Sequence, residues 1–290
     1  MKNFPATLLK GGGRSSSFRV SRFTFHELRP PMSYLRDRAI ILRAEPFREQ
    51  DVWLVCYGRS LGKFTSVARG SRVLKAKHLG HLQALSEVEV MVAKGAAFDK
   101  MAVARLVTAR HHVKNSLSAT VLAGAAADFV DKLTQPGSPD PYIYELLQEA
   151  LDVFFDTENE VTSIRGQFLF AAFALKVLRM LGYVPDVRHC NACRKPLKED
   201  AFLLSRLGIV ACADCRYGQF RPEEAERLPA RAIPLFAFVS SQPLQDCLKV
   251  TAPQELLETV QAMVMASLRQ TPVRAAPHGF TSVALLLAAV

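Results

Sequence analysis

Short apolar runs with strand-like composition occupy residues 36–110. They are rich in β-branched and aromatic residues, and turn-forming segments such as GRSLG separate them. The five runs are RDRAIILRA, DVWLVCY, GKFTSVARG, LSEVEVMVA and DKMAVARLV. Five short strands over about 75 residues predict a small barrel of the OB type, a fold that commonly binds nucleic acid.

The pattern changes to a helical one after residue 113. Ser116 and Ser118 can cap the segment SLSATVLAGAAADFVDKL, and Pro141 suits the first turn of the following helix. In a third segment, RGQFLFAAFALKVLRMLGY, apolar residues recur at helical spacing and predict one buried face. The chain is therefore predicted to have an α+β multidomain fold, in which an N-terminal five-stranded OB-fold barrel precedes an all-helical domain.

The N-terminal segment has a composition of its own. Its first 31 residues carry six basic side chains and one acidic side chain, with GGG and SSS runs and no apolar signal-peptide core. We expect residues 1–33 to be disordered. An organellar transit peptide and a start codon assigned too far upstream, with Met32 as the true initiator, both fit. No apolar run along the chain reaches the roughly eighteen residues of a membrane span, so a soluble protein is expected.

Charge is distributed unevenly along the chain. The net charge is +5 for residues 1–33, +7 for residues 34–110 and −2 for residues 111–290, which together give +10. A basic block joined to a nearly neutral block indicates a module that binds a polyanion, attached to a scaffold with another role. A basic surface that is merely well solvated is the alternative.

Four cysteines are spaced as in a zinc site. Cys190 and Cys193 form one CxxC pair, and Cys212 and Cys215 form a second pair within the spacing typical of four-cysteine zinc binding. Four thiolates complete a tetrahedron with no open position for water or substrate, so the predicted zinc is structural. His189 could replace a cysteine or support the site from outside it. The alternatives are a redox pair or disulfides. The remaining cysteines, at positions 56 and 247, are predicted to be small buried apolar residues.

No catalytic motif is recognisable in the sequence, so we do not expect an enzyme. A zinc deaminase needs H-x-E beside its cysteines, and HELRP at residues 26–30 lacks the second histidine of a metalloprotease helix. Gly62 and Lys63 resemble the end of a phosphate-binding loop. However, Tyr57 and Phe64 stand where that loop has glycine and serine or threonine.

A basic stretch follows the predicted second strand. Its cations are Lys63, Arg69, Arg72, Lys75 and Lys77, a group that is expected to follow phosphates rather than to read bases.

Three aromatic residues lie near this stretch in the sequence. Phe64, together with Phe47 or Trp53, could stack on unpaired bases. The alternative is that these aromatic side chains belong to the barrel core. Since both faces of DVWLVCY are apolar, alternation does not decide which side chains point inward, and we expect Trp53 in the barrel core.

These residues carry a resemblance to a known family. The run AIILRAEPFREQDVWLVCYGRSLGKFTSVARGSR, followed by a basic loop and LSEVEV, resembles the N-terminal domain of the RecO family of bacterial recombination mediators. The order of parts is similar as well: an OB-fold domain at residues 34–112, then a helical domain at 113–290 with a zinc finger at 188–217. The N-terminal extension has no counterpart in the family, and the region after Gln270 matches only loosely.

The resemblance implies a function. A RecO protein binds single- and double-stranded DNA, anneals complementary strands and, with RecR, helps RecA displace the single-strand binding protein SSB. By position, Lys63, Arg69 and Arg72 fall on the family's basic strand and loop, and the four cysteines fall on its zinc ligands. The implied location is cytoplasmic, with the bacterial nucleoid.

The expected SSB partner directs attention to one helix. SSB tails are acidic and hydrophobic, so their receptor needs an apolar groove flanked by cations. Leu175 and Leu178, with Lys176 and Arg179 beside them, are candidates for such a groove. The alternative is that the two cations are solvated residues at the edge of a core helix.

Two other function classes remain open at this point. One is an RNA-binding OB-fold protein, and the other is a zinc-ribbon interaction or transcription module without annealing activity. A DNA path over the finger is the alternative to a path over the barrel, and its cations would be Arg188, Arg194, Lys195 and Lys198.

Overall fold

The computed structural model describes residues 34–71, 82–110, 116–156, 164–219 and 225–272. Five strands form its N-terminal part: β1 (Tyr34–Phe47), β2 (Asp51–Gly58), β3 (Gly62–Ala68), β4 (Glu87–Ala93) and β5 (Lys100–Thr108). They close into a barrel in the order β1-β2-β3-β5-β4, and β1 pairs with both β2 and β4. The predicted five-stranded barrel at the N-terminus is confirmed.

Strand β1 is long enough to pair with two neighbours, since residues 34–40 pair with β4 and residues 39–47 pair with β2. Its pairing with β2 shifts between Ile41 and Arg43, and irregularities of this kind bend a strand and increase its twist. Closure leaves β1 paired on both sides, which protects the sheet from edge-to-edge association. The barrel interior is filled by small and branched apolar side chains: Ala39, Ile41, Leu54, Cys56, Ala68, Leu82, Val88, Val90, Val92 and Ala104.

Strand β2 is apolar on both faces because both faces are covered. Leu54 and Cys56 point into the barrel, whereas Val55 and Tyr57 belong to the core shared with the helices. Burial raises the pKa of the Cys56 thiol to about 12, as expected for a small apolar core residue. Cys247 is also buried, and its pKa rises to about 11 for the same reason.

Three helices follow the barrel: α1 (Leu117–Leu133), α2 (Pro141–Asp156) and α3 (Ile164–Met180). The Ser116 hydroxyl accepts a hydrogen bond from the Ala119 N–H at 3.3 Å and caps α1 as predicted. Pro141 is the first residue of α2, where its missing N–H costs no helical hydrogen bond. Local end signals in the sequence therefore located these two helix starts.

Helix α3 is the centre of the helical domain, and the prediction of a single buried face is wrong. Every residue from Gly166 to Leu178 is buried, because α1, α2 and the later helices pack around α3. A helix that is apolar on all sides is typical of such a central position. Within the described part of the chain, no helix has the length and hydropathy needed to cross a membrane.

A small sheet and four further helices complete the described fold. The elements are β6 (Ala201–Leu204), β7 (Ile209–Cys212), α4 (Ala213–Gln219), β8 (Ala225–Leu228), α5 (Ala232–Ser241), α6 (Leu244–Cys247) and α7 (Gln254–Leu268). The sheet order is β7-β6-β8. Strand β6, between the two cysteine pairs, therefore pairs with β8, which lies beyond residue 217, the predicted end of the zinc finger. Helix α7 packs along α3.

A buried carboxylate joins the barrel to α2. Glu87 on β4 is 1% exposed, and it accepts hydrogen bonds from the Tyr144 hydroxyl at 2.9 Å and from the Gln148 amide at 3.3 Å. The Thr108 hydroxyl donates at 3.3 Å, and Arg38 Nε lies 3.8 Å away. Such partners offset the cost of burying a carboxylate. Burial, and then the hydrogen bond to Glu87, raise the pKa of Tyr144.

Two arginines reinforce the same junction. Arg110 is buried, and its guanidinium binds the Asp152 carboxylate at 2.9–3.0 Å and the Leu85 carbonyl at 3.3 Å. The guanidinium of Arg59 lies 2.7 Å from Glu145 on the same helix. Barrel and helical domain are therefore joined by polar contacts as well as by a continuous apolar core.

Candidate nucleic-acid interface and metal centre

The first cysteine pair lies in a tight turn that precedes the small sheet. The Arg194 N–H donates to the Cys190 carbonyl at 2.9 Å, and the Lys195 carbonyl accepts from the Cys190 N–H at 2.9 Å. Arg194 has a φ of 64°, a left-handed conformation that closes the turn. Asn191 fastens the turn to β7, because its N–H and its side-chain oxygen bond the Val210 carbonyl and N–H.

The second pair converges on the first. Cys212 ends β7 and Cys215 lies in the short helix α4, so strand and helix geometry bring both thiols to one point. All four Sγ atoms lie within 4.8 Å of one another, and those of Cys193 and Cys212 are 3.8 Å apart. A tetrahedral site with metal–sulfur bonds of about 2.3 Å needs sulfur separations of about 3.8 Å. None of these cysteines forms a disulfide, and the four are positioned to hold one metal ion.

The ionisation of these thiols is unequal without a cation. Burial opposes ionisation of Cys190, but the backbone N–H groups of Cys193, Cys212 and Ala192 outweigh it and lower the Cys190 pKa to about 6. The pKa of Cys215 rises to about 12, first through its hydrogen bond with the Cys193 thiol and then through burial. A dication at the centre would favour all four thiolates, which is the condition for tight binding.

His189 stands outside the four-sulfur cluster. Its Nδ1 lies 2.9 Å from Asp186 Oδ2, and its side chain is 48% exposed. The pKa of Asp186 is lowered, mainly because its carboxylate accepts from the Arg188 N–H and also because it bonds His189. The contact between His189 and Asp186 therefore stabilises the segment that leads into the turn of the first cysteine pair.

Lys63 lies at the junction between the barrel and α1. Its Nζ is 3.4 Å from Asp131 Oδ1 and donates to the Asp131 carbonyl, and its side chain is only 14% exposed. Arg43 binds the same carboxylate at 3.0 Å. Lys63 is predicted from the sequence to contact a phosphate, whereas its ammonium instead contacts Asp131, which lies 68 residues further along the chain.

The other predicted phosphate contacts begin at Arg69, which follows β3 and is exposed. Arg69 forms no ion pair with any residue of the described ranges. Arg72, Lys75 and Lys77 lie outside the described residues. The flanking residues Ser71 and Leu82 line one cavity together with Val52 at the start of β2.

Phe64 and Trp53, two of the predicted stacking residues, lie on opposite faces of the barrel wall. Phe64 is partly buried and packs against the barrel interior. The expectation that Trp53 lies in the barrel core is wrong, because its side chain points to the outer face with Val55 and Tyr57 and stays partly exposed. Side chains alternate between the two faces along β2, so Trp53 faces outward because Leu54 faces the barrel interior.

Three aromatic rings meet on the outer surface of the barrel. The centroids of Phe47 and Trp53 are 5.6 Å apart, those of Phe47 and Phe98 are 5.7 Å apart, and those of Trp53 and Phe98 are 5.5 Å apart. We call these three residues the ring cluster. Phe98 belongs to the loop between β4 and β5, and sequence reasoning missed it because no strand periodicity reaches that loop. An isolated aromatic residue after GAA was the only signal.

Two family models cover most of the chain. The model described as "Recombination protein O N terminal" matches residues 32–110, and the one described as "Recombination protein O C terminal" matches residues 114–271. The chain belongs to the RecO family. The two matches separate at residues 111–113, between the barrel and the first helix. Membership places the chain among proteins of DNA recombination and repair.

Several curated relatives share the RecO name. The DNA repair protein RecO of Dehalococcoides mccartyi is 23% identical over 235 residues, which are 81% of this chain and 89% of the relative. That of Geobacter metallireducens is 29% identical over 70% of this chain and 81% of the relative, and that of Pelotomaculum thermopropionicum is 27% identical over 68% and 74%. The similarity therefore spans both the barrel and the helical region.

Within the RecO C-terminal match, basic side chains lie around the four-cysteine cluster. Each is exposed, and none forms an ion pair with another described residue. They are Arg188, Arg194, Lys195 and Lys198, the cations of the alternative DNA path.

The predicted partner residues of this RecO domain differ in exposure. Lys176 is 8% exposed, donates to the Gln242 carbonyl and has its pKa lowered, mainly by burial. Its ammonium is therefore not displayed. Arg179 is exposed and lines a cavity of about 560 Å³ whose apolar walls include Leu175 and Phe236. The structure brings Arg179 to a groove and leaves Lys176 beneath the surface.

Proposed function

We propose that this RecO-family chain is a DNA-binding recombination mediator without enzymatic activity. It binds single- and double-stranded DNA, anneals complementary strands and, with RecR, helps load RecA onto SSB-coated DNA. The observation that carries this proposal is the end of the barrel where exposed Arg48 and Arg69 and the partly exposed Lys100 surround the ring cluster. Cations that have no acidic partner among the described residues, next to one exposed and two partly exposed rings, suit a polyanion that carries bases.

Annealing needs no chemical step, which agrees with the lack of a catalytic motif. Two phosphate backbones repel each other, and a protein that neutralises both lets complementary bases meet. Phosphate contacts hold a strand without reading its sequence, so such a protein acts on any sequence. We assign these contacts to Arg69, with Arg48 and Lys100 on the same cavity, and to Arg72, Lys75 and Lys77. Lys63 and Phe64 instead support the barrel, because the first is paired with Asp131 and the second, partly buried, packs against the barrel interior.

A salt titration tests the barrel assignment. Each neutralised phosphate of a single strand contributes about −0.7 to the slope of log K against log salt concentration. Replacing Arg69, Arg72 and Lys75 together with alanine should reduce the magnitude of that slope by roughly 2, and strand annealing should fall in parallel. The readout is fluorescence anisotropy of a labelled oligonucleotide at several salt concentrations.

A variant of the finger serves as the matched control. It removes three exposed cations from the other basic surface, through Arg188→Ala, Lys195→Ala and Lys198→Ala, and it should keep the wild-type slope. If the finger variant loses the slope and the barrel variant keeps it, the DNA path runs over the finger. Competition between RNA and DNA strands of equal sequence separates this function from that of an RNA-binding OB-fold protein.

We further propose that the four cysteines bind one structural Zn²⁺. The donor set supports this, since four thiolates at tetrahedral spacing suit zinc and leave no coordination position open for substrate. When bound, the ion would link the first turn to β7 and α4. The chain's own contribution is the hydrogen-bonded turn around Asn191 and Arg194, which holds the first pair of thiols in place.

We also propose that the cavity beside Arg179 receives the SSB tail. Apolar walls suit the hydrophobic part of that peptide, and the guanidinium suits its acidic part. Asp186 and Arg188 line the same cavity, and His189 Nδ1 lies 2.9 Å from the Asp186 carboxylate.

A further inference from the structure

We propose that the ring cluster is a stacking site for one unpaired nucleobase, which selects single strands over duplex DNA. This inference rests on the proposed function and adds to it a defined ligand and a site. Phe47 ends β1, Trp53 lies near the start of β2, and Phe98 comes from the loop between β4 and β5. Three separate elements therefore bring their rings to one place on the outer face of the barrel.

The ring cluster is open to solvent at Phe98. This side chain is 41% exposed, although it lies within 5.7 Å of both other rings. Interplanar angles of 71° and 87° show that it meets them edge to face rather than in a closed stack. Edge-to-face packing fixes the orientation of a ring and still leaves aromatic surface available.

The size of the adjoining cavity limits the occupant. The cavity measures about 240 Å³ and is lined by Phe47, Phe98, Val67 and the small residues of the Gly95–Ala97 segment. Sites for drug-sized ligands span about 300–1,000 Å³. A flat ring system fits the smaller space, whereas a folded peptide segment or a whole base pair does not.

The charge around this cavity supplies the rest of a nucleotide site. Arg48, Arg69 and Lys100 line it, and none of the three forms an ion pair with a described residue. Asp51 also lines it, but one of its carboxylate oxygens accepts from the Gly70 N–H at 2.9 Å. The cations outnumber the acid three to one. Rings for a base and cations for the adjacent phosphates occur together here.

The position of Arg48 over the Phe47 ring indicates a preformed stacking site. Its backbone is left-handed, with a φ of 56°, and its guanidinium lies 5.2 Å from the centre of the Phe47 ring. A planar cation already stacked on an aromatic ring covers one side of the ring cluster and offers a second planar surface. Such a surface accepts any base, because stacking does not read hydrogen-bonding edges.

Selection of single strands follows from the geometry of DNA. In a duplex each base is covered above and below by its neighbours, so its face cannot reach the rings without unstacking. The cost is smaller for an unpaired base in a single strand. Duplex DNA would therefore bind only through phosphate contacts, and single strands through phosphates and one stacked base.

The protein contains an intrinsic fluorescent probe of this site, a tryptophan within the ring cluster. Trp53 is its only tryptophan, and its ring lies 5.5 Å from that of Phe98. A base that stacks here should quench Trp53 fluorescence in the full-length protein. The titrants are an oligothymidine, an abasic oligonucleotide of the same length and a duplex. We expect quenching by oligothymidine, and little by the other two at saturating concentrations.

Substitutions separate stacking from charge. One stacked base contributes about 1–3 kcal/mol, so Phe98→Ala should weaken oligothymidine binding about 5- to 150-fold and leave abasic binding unchanged. Lys100→Ala should weaken both equally. Tyr142→Ala, which removes an aromatic side chain that is 70% exposed on α2, should change neither. Phe98→Leu keeps the apolar volume without the aromatic face and should resemble Phe98→Ala. If Phe98→Ala fails to fold, Phe98→Leu tests whether the aromatic face is needed for oligothymidine binding.

The outcomes distinguish this inference from the proposed function. If the wild type binds oligothymidine and abasic strands equally, with no quenching of Trp53, the stacking site is refuted and DNA binding by phosphate contacts stands. The same conclusion follows if Phe98→Leu binds oligothymidine as the wild type does. If the wild type binds none of the three titrants, both the inference and the proposed function are refuted.

Discussion

Removal of one hydroxyl group tests whether Glu87 joins the two domains. Tyr144→Phe deletes the donor 2.9 Å from the Glu87 carboxylate, which is 1% exposed. Among the described residues, its other partners are the Gln148 and Thr108 donors at 3.3 Å and Arg38 at 3.8 Å. Hydrogen bonds to charged groups contribute about 1.5–3 kcal/mol to stability, more than neutral ones. The short bond is the best of the set, and we expect a loss of about 2 kcal/mol in the free energy of unfolding.

The assay is urea unfolding followed by circular dichroism, with Tyr142→Phe as the matched control. Tyr142 lies two residues earlier on the same helix and is 70% exposed, so the same chemical change there should alter stability by less than about 0.5 kcal/mol. The double variant with Glu87→Gln should show a coupling energy, because both changes remove the same contact. If Tyr144→Phe is as stable as Tyr142→Phe, the carboxylate does not fasten the barrel to α2.

Three further predictions address the metal, the partner groove and pH. Elemental analysis should find about one zinc per chain, and Cys193→Ser should lower both zinc content and thermal stability; a variant as stable as the wild type would refute a structural metal. Arg179→Ala should weaken binding of an SSB tail peptide in a fluorescence titration, and unchanged affinity would remove this groove as its site. Through Cys56 alone, the free energy of unfolding should fall by up to about 1.4 kcal/mol per pH unit between about pH 9 and pH 12. Burial raises the pKa of the Cys56 thiol to about 12 in the folded protein, so the unfolded chain loses the thiol proton at a lower pH. Cys56→Val should remove that component of the slope, and an unchanged alkaline slope would contradict the assignment.

The elements that could be predicted from sequence are those set by neighbouring residues. Runs of β-branched residues between turns located the five barrel strands, and Ser116 and Pro141 located two helix starts. These signals act over a few residues, because strand and helix periodicities and end caps are local properties of the backbone. The cysteine spacing worked for a related reason: a CxxC turn brings two thiols together whatever surrounds it.

Local patterns failed where partners are distant in sequence. Periodicity in α3 predicted one buried face, but helices from both earlier and later in the chain surround it and bury Lys176 as well. In the same way, Lys63 looked like a phosphate ligand among other cations until the fold placed it against Asp131. Charge and hydropathy describe a side chain, whereas its partner depends on which distant segment packs beside it.

The sequence by itself therefore determined the barrel, the helix starts and the cysteine quartet of this RecO-family chain. Only the tertiary structure decided which aromatic and basic side chains share a surface. Trp53 turns outward because Leu54 faces the barrel interior, and it meets Phe98 from a loop that carries no periodic signal. The physical reason is that barrel closure brings the ends of β1, β2 and the β4–β5 loop together, and that closure depends on pairing between strands far apart in the chain.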